Sequence, residues 1–138
     1  SLLQWASQPL KTLKRWKGKI KKGGSCLHAI YIVGTLSELF KCLPCPPPIT
    51  FKSDQDWEAL FREAGYSQVK TSIKSEKYEF ASPLALLRSL HKIGVNGSIM
   101  LGFTETKRLL ARYRSDYSLD DGKIYSTWTT CIVEASVD

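Results

Sequence analysis

Apolar positions along the chain alternate between helical and strand spacing, and the switches mark its elements. Leu10, Leu13, Trp16 and Ile20 recur at helical spacing among lysines. Pro9 suits a first helical turn and Gly23-Gly24 a helix stop, so a helix is predicted over Pro9–Lys22. Gly24–Val33 follows as the one long run of branched and aromatic residues. Its consecutive apolar positions, Ala29-Ile30-Tyr31-Ile32-Val33, predict a strand buried on both faces inside an α/β sheet. Thr35–Leu43 reads as a short helix, with Thr35 and Glu38 as a capping box. Ser53–Ala64 is a clearer helix: Ser53 and Asp56 form the box, Trp57, Leu60, Phe61 and Ala64 line one face, and Gly65 ends it.

The second half repeats these signals. Over Tyr66–Phe80, Val69, Thr71 and Ile73 alternate with Lys70, Ser72 and Lys74, a strand pattern. Ser82-Pro83 opens a helix that places Leu84, Leu87 and His91 on one face and Leu86, Leu90 and Ile93 on another, with Gly94 as its stop. After a turn-rich link over Val95–Phe103, a helix is expected over Glu105–Arg114. The turn Asp120-Asp121-Gly122 feeds a strand over Lys123–Ala135. There Ile124, Trp128 and Ile132 are expected on one face and Tyr125, Cys131 and Val133 on the other.

Composition narrows the class. A length of 138 residues, 43% of them hydrophobic, fits one domain with a substantial core. No apolar run approaches the roughly 18 to 20 residues of a membrane span. The first residue is Ser rather than Met, which suggests a removed start or a piece of a longer chain. Cys26 and Cys131 sit in strand-like runs and read as small buried hydrophobes. A core of this size needs no disulfides, so a reducing, cytoplasmic setting is expected. Cys42-Leu43-Pro44-Cys45 is a CxxC, but Pro46-Pro47-Pro48 follows where a redox motif needs a helix. Cys26, Cys131, His28 and His91 offer no second ligand pair at zinc spacing, so Cys42 and Cys45 read as two incidental thiols in a loop.

The net charge is +7, and seven basic residues with no acid fall within positions 1–37. The remainder is neutral. Such a stripe can attract nucleic acid, an anionic membrane or an acidic protein, while its plain reading is a solvated helix face. Trp16 lies on the apolar stripe, which favours packing over base stacking. No G-x-G, no P-loop and no Ser-His-Asp or Cys-His set occurs. His28 and His91 read as packed histidines. The residues by themselves support an α/β domain with one basic face.

Five segments add a resemblance. Leu3-Gln4-Trp5, Thr35-Leu36-Ser37-Glu38-Leu39, Ser82-Pro83-Leu84-Ala85-Leu86-Leu87-Arg88, Gly94-Val95-Asn96 and Asp121-Gly122-Lys123-Ile124-Tyr125-Ser126-Thr127-Trp128 stand in that order from Ser1 to about Ala135. Together they resemble the malonyl-[acyl-carrier protein] O-methyltransferases of biotin synthesis, which are class I S-adenosylmethionine-dependent methyltransferases. Two stretches depart from the family: Lys22 stands where it favours Pro, and Cys42–Pro48 looks divergent.

The resemblance implies an incomplete Rossmann-like α/β fold across a single domain, 1–138, that lacks the cofactor-binding first half. It would keep the last three strands, with the final one antiparallel and between the other two, and substrate-side insertions at 35–50 and 82–115. The absent half would leave an unpaired edge on the Gly24–Val33 strand, open to self-association, and the isolated chain would be inactive. The implied cofactor is S-adenosylmethionine, approached by Ser1, Leu3, Gln4 and Trp5. The implied substrate residues are Arg88, His91 and Lys92, with Lys107 and Arg108 as docking points for an acidic acyl carrier protein. The rival reading is a non-catalytic interaction or nucleic-acid-binding domain using the basic helix 9–22.

Overall fold

A computed structural model describes residues 3–47, 49–93 and 101–138. Ser1, the Gly94 stop, the Gly94-Val95-Asn96 segment and most of the 95–103 link lie outside the described residues. A single 3-10 turn at Leu3–Trp5 precedes α1 (Pro9–Lys17), β1 (Ser25–Tyr31), α2 (Ser37–Cys42), α3 (Asp54–Glu63), β2 (Ser67–Phe80), α4 (Pro83–Lys92), α5 (Phe103–Tyr117) and β3 (Ile124–Ser136). The sheet order is β1-β3-β2, and β3 runs antiparallel to β1 with Ser25 opposite Ser136 and Tyr31 opposite Thr130. The last strand therefore lies between the other two, as the resemblance implies.

The chain divides into two compact units. The first comprises 1–35, 51–75 and 129–138; the second comprises 36–50 and 76–128. In the first, Leu13 of α1, Trp57 and Phe61 of α3, Ile30 of β1 and Cys131 and Val133 of β3 form a dry core. His28, half-buried, packs against it. Its ring stacks on Trp16 at 5.5 Å and tilts against Phe61 at 5.6 Å, and burial lowers its pKa. Tyr66 closes the same core by donating from its hydroxyl to the Leu13 carbonyl at 3.0 Å. In the second unit, Leu39 of α2, Leu86 and Leu90 of α4, Leu109 and Tyr113 of α5 and Ile124 of β3 pack together.

Several elements differ from the sequence expectation. α1 ends at Lys17, not Lys22. Gly18 is a poor helix former, and beyond it Lys19 and Ile20 bond three residues back, to Trp16 and Lys17, instead of four. β1 is not buried on both faces: Leu27 is 70% exposed while Ile30 is fully buried. Only the Cys26-His28-Ile30 side meets the core, and the Leu27 side is left open among the described residues.

Thr35 and Glu38 do not cap α2, whose entry residue Leu36 takes a left-handed conformation at φ 57 with no side-chain cap. Both side chains turn to β3 instead. Along β3 the burial does not keep one parity: Ile124 and Ser126 are buried, then Thr129, Cys131, Val133 and Ala135. The change falls where the buried positions pass from the second unit's core, which takes Ile124, to the first unit's, which takes Cys131, Val133 and Ala135. α5 is longer than expected at both ends.

The α3 box is present as expected, with Ser53 Oγ accepting from Asp56 N–H and Asp56 Oδ2 from Ser53 N–H, each at 3.1 Å. Ser82 Oγ likewise caps α4 through Ala85 N–H at 3.1 Å.

Candidate functional site

The second unit carries three features with chemical potential. The first is on α4. Pro83 at the first helical position and the Ser82 cap start the helix, and buried Leu86 and Leu90 fix which way it faces. Arg88, His91 and Lys92 then project from the other side. Together with Leu87 they line one shallow concavity of about 370 Å³. The structure brings these three predicted site residues to one place. None of them makes an ion pair among the described residues, so their donors face solvent.

A second concavity, about 380 Å³, is lined by Cys42, Pro44, Glu105, Arg108, Leu109 and Arg112. Arg108 and Arg112 stand one turn apart on α5, so their side chains are neighbours. Buried Leu109 and Cys42 supply the apolar part of the lining. Burial pushes the Cys42 thiol pKa up, against the pull of Arg112. Lys107 is separated in role from Arg108: its ammonium sits over the Phe103 ring at 4.8 Å. Sequence reasoning named Arg108 and missed Arg112, although the i, i+4 spacing was there to find.

The third feature is a buried polar seam. Glu38, only 6% exposed, accepts from Thr127 N–H at 3.0 Å and from the Thr127 hydroxyl. Leu36 N–H donates to Thr127 O at 2.8 Å, which closes the pairing. Tyr113 donates to Tyr125 O at 2.7 Å, and burial raises its pKa strongly. Lys77 lies over the Tyr125 ring at 4.6 Å.

In the first unit, the Leu3–Trp5 turn holds three predicted residues. Leu3 is fully buried, Gln4 carries a buried side-chain oxygen with no hydrogen-bond partner, and Trp5 meets Phe51 edge-on at 6.2 Å. Gly34 and Thr35 follow β1. Gly34 has φ +97, and a Cβ there would stand 2.9 Å from Thr129 Oγ1. Thr129 Oγ1 is itself bonded to Ser75 Oγ at 2.9 Å.

Among the described residues, no group of three or more His, Cys, Asp or Glu could hold a metal ion, and no helix is long and apolar enough to cross a membrane. Cys42 and Cys45 are both free thiols.

No family model matches the chain. Two curated proteins do, each named malonyl-[acyl-carrier protein] O-methyltransferase. That of Paenibacillus sp. (strain JDR-2) is 25% identical over 96% of this chain and 53% of its own length. That of Acinetobacter baylyi (strain ATCC 33305 / BD413 / ADP1) is 29% identical over 76% and 46%. The chain thus spans about half the length of the curated relatives it matches. Among solved structures, the YcgJ protein of Bacillus subtilis aligns at TM-score 0.56 and 13% identity, over 99% of this chain and 61% of that one. BH2331 of Bacillus halodurans C-125, provisionally named a methyltransferase, aligns at TM-score 0.52 and 12% identity, over 96% and 59%. Over the stretch shared with these proteins, the chain carries the α/β fold of class I S-adenosylmethionine-dependent methyltransferases.

Proposed function

We propose that this chain is part of an S-adenosylmethionine-dependent O-methyltransferase that esterifies the free carboxylate of malonyl-acyl-carrier protein, as the names of its curated relatives suggest. The observation that carries the reading is the α4 concavity, where Arg88, His91 and Lys92 converge around Leu87. A malonyl carboxylate is already ionised near neutral pH, since carboxyl pKa values lie at about 4. No general base is needed to make it a nucleophile. The demands on the protein are orientation and exclusion of water. Arg88 offers a planar, two-pronged donor set that holds one carboxylate plane. His91 and Lys92 add donors within a turn of it, and Leu87 gives an apolar wall to the short carbon stem.

The Leu3–Trp5 turn fits one end of the cofactor. Gln4 presents a buried acceptor without a partner, which an N–H of a bound group would satisfy. Leu3 and Trp5 add apolar surface beside it. Bound S-adenosylmethionine supplies an activated methyl group on a sulfonium sulfur. Arg108, whose guanidinium is free of ion pairs among the described residues, is the better placed of the two docking candidates for an acidic carrier, since Lys107 is engaged on Phe103.

In a full-length enzyme containing this stretch, Arg88→Ala should raise KM for carrier-bound malonate at least several-fold, with a smaller change in kcat. An unchanged KM overturns the assignment of Arg88.

A further inference from the structure

We infer that the concavity lined by Cys42, Pro44, Glu105, Arg108, Leu109 and Arg112 is a second ligand site that takes a phosphate ester on an aliphatic stem. The methyl-transfer reading uses Arg108 as a docking point for the carrier but gives no role to Arg112 or to the cavity itself, which is lined by α5 and the end of α2 rather than by Arg88 and its neighbours on α4.

The charge selects the ligand. Two guanidiniums one helical turn apart face one carboxylate, so the lining is net positive. Glu105 is partly committed, since its Oε2 accepts from Gly102 N–H at 3.4 Å at the start of α5. Arg112 makes only a long contact with Asp116, at 3.7 Å and well exposed. Arg108 makes none among the described residues. A carboxylate has two oxygens and saturates one guanidinium fork. A phosphate has oxygens enough to bridge two, which is the arrangement that Arg pairs favour.

The volume selects the rest. About 380 Å³ is in the range of small-molecule pockets and far exceeds a bare anion. Leu109, Pro44 and Cys42 provide apolar walls that suit methylene groups rather than water. The ligand chemistry is therefore an anionic ester with an aliphatic continuation. Two sources offer it: the pantetheine arm of a carrier protein, or the same arm on free coenzyme A. The choice of this arm rests on the proposed function; the existence of the anion site does not.

The test needs no turnover. The 138-residue chain is titrated with 4′-phosphopantetheine, and with pantetheine lacking the phosphate, while backbone amide signals are followed by NMR. The expected result is a saturable shift centred on Cys42 and Leu109, at least ten-fold weaker without the phosphate. Arg108→Gln with Arg112→Gln should reduce affinity at least ten-fold. Both side chains lie on an exposed helix face, and a matched circular dichroism spectrum checks the fold. Mapping on the unmodified chain keeps the test decisive if the double variant fails to fold. Equal binding of the two ligands, or shifts elsewhere in the chain, overturns the site. Tighter binding of a phosphopantetheine-bearing carrier than of coenzyme A assigns the carrier as source; the reverse assigns the free thioester. Absence of phosphate-dependent binding to the unmodified chain would sink only this site. Arg88→Ala tests the other reading independently.

Discussion

Thr35 and Thr129 share two hydrogen bonds through a single hydroxyl. Thr35 Oγ1 donates to Thr129 O at 2.9 Å and accepts from Thr129 N–H at 3.1 Å. Thr35 is 1% exposed, so water cannot replace it. Ile32 N–H also donates to Thr129 O, at 3.0 Å, and keeps that carbonyl partnered if the hydroxyl is lost. Thr35→Val would therefore strand chiefly the Thr129 N–H. A buried unsatisfied donor costs about 1–3 kcal/mol, so a loss of about 2 kcal/mol is expected. Thr35→Ser retains the hydroxyl and should cost about 1 kcal/mol, for the methyl alone. Urea denaturation of the two variants ranks them, and equal midpoints would contradict this account.

Glu38 binds Thr127 through both its backbone N–H and its hydroxyl. Glu38→Ala should destabilise by about 2–3 kcal/mol, because two donors lose a common acceptor. Glu38→Gln keeps one oxygen and should lose less. If Gln proves as damaging as Ala in the same denaturation experiment, the acceptor is not what the position supplies.

Gly34→Ala combines a left-handed backbone with a clash. The backbone alone costs about 1–2 kcal/mol. Thr129 Oγ1 must also move, although Ser75 holds it. Gly23 has a similar φ, +78, but nothing lies within 4 Å of a Cβ added there. Gly34→Ala should therefore lower the melting temperature more than Gly23→Ala, a comparison one thermal scan makes.

Burial, foremost, raises the Tyr66 pKa to about 12. The unfolded chain ionises this phenol near 10, so above that pH it releases a proton that the folded chain still holds. The stability is fully present below about pH 10 and falls as pH climbs towards 12. Tyr66→Phe should flatten that part of the pH–stability curve, at a cost of about 1 kcal/mol at neutral pH for the lost bond to Leu13 O. An unchanged slope would refute the contribution of Tyr66. Tyr113, also raised by burial, acts in the same direction.

Local chemistry was the readable part of the sequence. Ser53 with Asp56, and Ser82 with Pro83, announce helix starts because their partners lie within three residues. The gathering of Arg88, His91 and Lys92 was readable for the same reason, since helical spacing alone brings them together. Thr35 and Glu38 misled because a capping pattern and a long-range partner use the same side-chain oxygens. The sequence separation to Thr129 and Thr127 is about ninety residues, which no local rule reaches. β1 misled in a related way: an apolar run states what a strand prefers, while Leu27 shows what actually covers it. The order β1-β3-β2 was legible only through family resemblance, as no spacing encodes which strand enters the middle.

The two grips on β3 have an arithmetic consequence. Glu38 accepts from Thr127 N–H, and the Thr35 hydroxyl accepts from Thr129 N–H. Successive residues of a strand turn to opposite sides, so two such grips coexist only at an even spacing. Removing Trp128 would turn one of the two N–H groups away from its acceptor and reverse every side chain beyond it. The single residue between the grips therefore acts as a gauge: it fixes the count on which the register of the whole strand depends.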